Sequence, residues 1–236
     1  MTNRITDISL RQAAIVAGLG LLAMGILAPF AEFSVRQSLI VLGTAAVTAS
    51  NIMANELLVR IAICIYLIVA ILDIVVAWGL YVFLKPVNQS LSLLAAWFRV
   101  VYAGILAVVL VNLVNALHLL SGADYLSAFE TDQLQAQAML FLNAFDYGWT
   151  IGLVIFGLHL LILGYLVFKL SGTMPKILGV LVVIAGAGYL IDSFGKLLSS
   201  NYDANIAIFT FIGEVLLIFW LLIKGVRLPG QSKEKG

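Results

Sequence analysis

Four ionisable residues stand inside runs of the chain that are otherwise apolar: Asp73, Arg99, His159 and Glu214. A charge in the middle of a lipid-spanning helix costs about 2.5–3.5 kcal/mol on insertion scales, so each needs a partner inside a helix bundle. Helix rise places them in one layer. Counting 1.5 Å per residue from one end of each apolar run, Asp73 falls about 16 Å in, Arg99 about 12 Å, and His159 and Glu214 each about 15 Å. Asp73 and Arg99 lie on adjacent antiparallel runs, where a salt bridge cancels two charges that are costly apart. Such a pair can pin helix register, or it can form a proton or substrate site. His159 and Glu214 join the same network or stand alone, His159 as a hydrogen-bonded packing residue and Glu214 as a protonated acid.

A second set lies nearer the opposite ends of its runs: Asn112, Asn115, His118, Asp146 and Asp192. Asn112, Asn115 and His118 follow one another at three-residue steps and share a helix face. Buried amides commonly join helices by hydrogen bonds. The alternative is a water-filled vestibule with Asp192 near its floor and Tyr189, three residues earlier, on its wall. The two histidines fall about 25 Å apart in depth by helix rise, too far for a shared metal or for bis-histidine haem ligation. A mixed site of His118 with Asp146 or Asp192 stays open. Neither H-E-x-x-H nor G-x-S-x-G occurs. No catalytic residue, metal set or cofactor is assigned, and the reading leans away from an enzyme.

The elements that position these residues follow from composition. The chain has 236 residues, 63% of them hydrophobic and 11% charged, with mean hydropathy +1.11. Soluble domains average about 45–50% apolar and about 25% charged, so lipid must cover this surface. Six apolar runs suit a bilayer: about 13–30, 58–84, 91–120, 148–168, 175–198 and 205–223. The central one holds Trp97 to Leu120 with Arg99, Asn112, Asn115 and His118. The expected fold is therefore an all-α polytopic bundle of six transmembrane helices in a single domain, residues 1–227. Residues 228–236 read as a disordered cytoplasmic tail.

The connections are uneven. Lys85 to Gln89 and Leu170 to Met174 make short turns, with Pro86 and Pro175 suiting a helix end and a first turn. The other side has longer connections that predict two short surface helices, one capped by Thr44 and one beginning at Thr131. Continued to Phe168, the second would reach about 57 Å. A bend or break is expected near Asp146-Tyr147-Gly148. The N-terminal run is longer than a signal-peptide core and lacks a good cleavage context, so it reads as an uncleaved first span.

Basic residues set orientation. Arg4, Arg11, Lys85, Lys169, Lys176, Lys224, Arg227, Lys233 and Lys235 fall on the side of the termini. Glu32, Glu56, Asp124, Glu130, Asp132 and Asp203 gather on the other, with Arg36, Lys196 and Arg60. That imbalance predicts both termini in the cytoplasm. Cys64 alone excludes an intrachain disulfide, and no basic tract suggests nucleic acid. Gly18 to Gly25 lacks the strand and spacing of a nucleotide loop; like Ala185 to Gly188, it suits close helix packing. Trp78, Tyr81, Trp97 and Tyr147 fall near membrane edges as anchors.

The run Gly157 to Phe194, with Phe30 to Ile52, Lys85-Pro86-Val87-Asn88 and Ala144 to His159, resembles the bacterial membrane family catalogued as domain of unknown function 4386. The resemblance covers nearly the whole chain and is most specific in the fourth and fifth spans. That family usually has an acidic residue where Thr44 stands; threonine can cap as aspartate does. It implies a multi-pass protein of the bacterial cytoplasmic membrane and carries over no catalytic residue.

Two functions fit. One is a membrane protein that binds or transports a small molecule, a lipid or a proton through the polar layer, a candidate transporter. The other is a non-catalytic component that assembles with itself or with another membrane protein, its charges serving folding. An intramembrane hydrolase or transferase would need a nucleophile–base or metal set that does not assemble.

Overall fold

The computed structural model describes residues 8–41, 43–199 and 201–227. Arg4, Lys233, Lys235 and the expected tail at 228–236 lie outside the described residues. Among those described, the chain is helical with no strand. Six helices are long and apolar enough to cross a membrane: α1 (Leu10–Leu39), α3 (Glu56–Leu84), α4 (Gln89–Leu119), α5 (Thr131–Phe168), α6 (Thr173–Leu198) and α7 (Ile206–Arg227). A shorter apolar helix, α2 (Ala45–Ala54), precedes α3 and is separated from it by Asn55. Large apolar side chains point outward all along the spans. Ile26, Ile71, Val108 and Leu140 each expose more than half of their surface, as suits helices solvated by lipid.

The chain divides into two compact units. The first unit comprises residues 1–23, 72–100 and 154–236; the second comprises 24–71 and 101–153.

In the first unit small residues bring helices together. A Cβ on Gly164 would stand 2.6 Å from the Gly179 carbonyl oxygen, and one on Gly179 would stand 2.6 Å from the Gly164 carbonyl oxygen. Seven residues away the relation repeats: Gly157 faces the Gly186 carbonyl at 3.0 Å, and Gly186 faces that of Gly157 at 2.8 Å. Two helices running in opposite directions with glycines at matched seven-residue spacing can touch backbone to backbone. Gly18 and Gly20 of α1 pack against Leu222 and Val76, so the glycine-rich start of the chain is used for packing.

In the second unit α1 does not stop at Pro29. The proline has no N–H to donate, and the chain continues through a wider π-helical stretch, Phe30–Arg36, closed by the Gln37 N–H donating to the Glu32 carbonyl. Three expectations about the outer connections and the helix that follows them are corrected here. Thr44 precedes α2, but its hydroxyl donates to the Val41 carbonyl instead of capping the helix. The segment from Thr131 is the start of α5, not a separate helix. Nor does α5 break at Asp146-Tyr147-Gly148: it is helical for all 38 residues. Gly148 serves close packing, since a Cβ there would meet the Val109 side chain at 2.4 Å.

Candidate functional site

The first unit holds a buried ionic cluster. Asp73 of α3 and Arg99 of α4 have side chains 1% and 2% exposed, and Arg99 Nη2 lies 2.7 Å from Asp73 Oδ1. At that distance the two side chains form a buried ion pair. Arg99 Nη1 is 3.2 Å from His159 Nε2, and His159 Nδ1 is 2.8 Å from the Ala95 carbonyl oxygen. Arginine can only donate, and a carbonyl can only accept. His159 must therefore accept through Nε2 and donate through Nδ1, which fixes it as one neutral tautomer. The Phe156 ring lies 5.3 Å from the guanidinium and stacks on His159 at 5.7 Å.

Glu214 of α7 is hydrogen-bonded to Tyr189 of α6 and lies within electrostatic reach of Asp73 and Arg99. Four buried polar atoms here have no directed hydrogen bond: Asp73 Oδ1 and Oδ2, Arg99 Nε and Glu214 Oε1. Helix rise had put Asp73, Arg99, His159 and Glu214 at one depth; the structure puts them in one cluster.

The upper set is dispersed. Asp192 is fully engaged: Oδ1 accepts from the Tyr202 hydroxyl at 2.6 Å and the Ile206 N–H at 2.9 Å, and Oδ2 from the Ala207 N–H at 2.6 Å. It caps the start of α7, where two otherwise orphaned backbone donors need an acceptor. Tyr202 lies between α6 and α7, and its hydrogen bond to Asp192 pushes its phenol up to about 12. In the second unit Asn112 donates to the Val109 carbonyl of its own helix at 3.1 Å, Asn115 is half-buried, and His118 is exposed. Among the described residues no three His, Cys, Asp or Glu side chains come together as a metal set.

The second unit also contains a cluster that sequence reading assigned to an outer loop. Arg36 donates to Glu32 through Nε (2.8 Å) and Nη2, and to Asp146 Oδ1 through Nη1 (2.5 Å). Glu32 accepts further from the Tyr66 hydroxyl at 2.6 Å and from Gln37 Nε2 at 2.8 Å. The guanidinium lies 5.7 Å from the Phe145 ring and 6.0 Å from that of Trp149. Glu32 and Arg36 are thus largely buried members of α1, not surface charges; their i, i+4 spacing was the available signal. Asp146 is held in this group, with a side chain 43% exposed.

Six helices of lipid-spanning length, together with buried ion pairs in each unit, mark a polytopic α-helical membrane protein. The chain belongs to the family described as Domain of unknown function (DUF4386), whose model matches residues 16–225. It is similar to an uncharacterized protein of the archaeon Archaeoglobus fulgidus, with 40% identity over 164 residues, or 70% of this chain and 83% of that protein. No solved structure matches.

Proposed function

We propose that this protein takes up a proton or a small polar solute at the Asp73–Arg99–Glu214 cluster, as a small transporter or ligand-binding protein. The observation that carries the reading is the set of buried charged groups whose hydrogen-bonding capacity is unused. A buried ion pair that serves stability alone requires excellent geometry and satisfied remaining atoms. Here Arg99 pairs with Asp73, Glu214 lies within electrostatic reach of both, and each carboxyl group keeps an oxygen without a hydrogen bond. Such a layer accommodates one more positive charge or hydrogen-bond donor. His159 is the positioning residue: its fixed tautomer holds Arg99 against Asp73.

The membrane is the cytoplasmic one in this reading, with both termini inside, on the strength of the basic residues at 85, 169, 176, 224 and 227. Purified full-length protein in vesicles that enclose a pH-sensitive dye provides the test. After an imposed pH step, the parent should dissipate the gradient faster than Asp73→Asn or Glu214→Gln. Equal rates in all three and in protein-free vesicles refute proton uptake; a panel of small polar solutes, scored by melting temperature, then decides the solute arm.

A second reading, a non-catalytic assembly component, draws on Arg99 being held by Asp73, His159 and Phe156 at once. In that case the cluster fixes helix register, and a paired apolar replacement leaves a stable protein with its partners unchanged.

A further inference from the structure

A separate cavity of about 430 Å³ opens in the first unit, where the turn after α3 meets the end of α5. One wall is Pro86, Val87 and Asn88; the other is Tyr165, Leu166, Lys169, Leu170 and Ser171. Its volume is in the range of small-ligand sites. We infer that this cavity binds a phosphate group, that of an anionic lipid headgroup at the membrane boundary or of a soluble phosphate.

Three observations support this chemistry. Lys169 is the one charged side chain of the lining, and its ammonium rests 5.2 Å from the Tyr165 ring without an acidic partner among the described residues. The acids on the spans of the first unit are committed elsewhere: Asp73 to Arg99, Asp192 to the start of α7, and Glu214 to Tyr189. Lys85 and Lys176, at the neighbouring helix ends, are exposed and also make no ion pair among the described residues. The cavity therefore offers a cation and the Asn88 and Ser171 side chains to an anion, with Val87, Leu166 and Leu170 beside them to meet an apolar tail. Asn88 already uses Oδ1 to accept from the Leu91 N–H, which leaves its amide N–H₂ to donate. The site lies at the ends of lipid-spanning helices, the depth of headgroups.

The test uses the full-length protein in a neutral detergent and three probes: short-chain phosphatidylglycerol, short-chain phosphatidylcholine and inorganic phosphate. Phosphatidylglycerol should raise the melting temperature more than phosphatidylcholine. Lys169→Gln should weaken it about fivefold, the factor that one lysine contributes at an anionic lipid surface. Lys85→Gln, outside the lining, should change it less. A full response to inorganic phosphate with the same Lys169 dependence assigns the site to soluble phosphate. Equal responses to the two lipids, or equal effects of the two substitutions, overturn the inference. Lys169 is exposed, so its replacement leaves folding intact.

Discussion

Removing one member of the Asp73–Arg99 pair leaves the other charge buried without its counter-ion. Both side chains are at most 2% exposed. Breaking a buried ion pair by deleting one partner costs about 3–5 kcal/mol, because the remaining charge is uncompensated. Arg99→Met and Asp73→Leu should each fall in that range, and independent effects would sum to about 6–10 kcal/mol. The double variant should lose far less. Its principal residual cost is His159 Nε2, left without the Arg99 donor, an unsatisfied group of about 1–3 kcal/mol. The coupling energy should therefore be at least about 3 kcal/mol in favour of the pair. Reversible unfolding in mixed detergent, followed by tryptophan fluorescence and fitted as a double-mutant cycle, measures it. A double variant that loses the sum of the two single losses refutes the argument, since it would mean that the two charges do not stabilise one another. The same variants placed in dye-filled vesicles separate the two functional readings: a stable double variant that has lost proton uptake identifies a site, whereas one with unaltered behaviour identifies a register pin.

Other expectations follow from particular contacts. Gly164→Ala should destabilise by about 1–3 kcal/mol, because its Cβ would meet the Gly179 carbonyl oxygen at 2.6 Å and the two helices must separate; an unchanged unfolding midpoint would contradict the seam. Asp192→Ala should cost about 1–2 kcal/mol and speed amide exchange at Ile206 and Ala207, the donors it caps; exchange elsewhere in α7 should change less. The Tyr202 phenol, ordinarily near 10.0, is raised to about 12 in the folded protein by its bond to Asp192. Its contribution is therefore complete below pH 10 and lost as pH rises toward 12. Tyr202→Phe should remove that alkaline component from a stability profile. Arg36→Met should destabilise by about 3 kcal/mol by stranding Glu32, and Glu32→Gln in the same chain should recover part of the loss; thermal unfolding of the single and double variants checks this.

The spans and the ionic layer were legible in the sequence for a local reason. Hydropathy sets which segments enter lipid, and a fixed rise per residue sets depth, so Asp73, Arg99, His159 and Glu214 could be placed at one level without knowing how the helices face one another. Rotation about each helix axis is different. It depends on packing against distant segments, as when Gly164 and Gly179 meet across α5 and α6. The tertiary structure alone therefore decided that His159 donates to Ala95 and accepts from Arg99, and that Asp192 caps α7 instead of lining a vestibule. It alone decided the fate of Glu32 and Arg36. Their charge and their position beyond Pro29 read as a loop, yet the π-helical turn carries α1 onward and Arg36 finds Asp146, 110 residues away. Composition establishes where a charge is costly; only the fold supplies the partner that makes it tolerable.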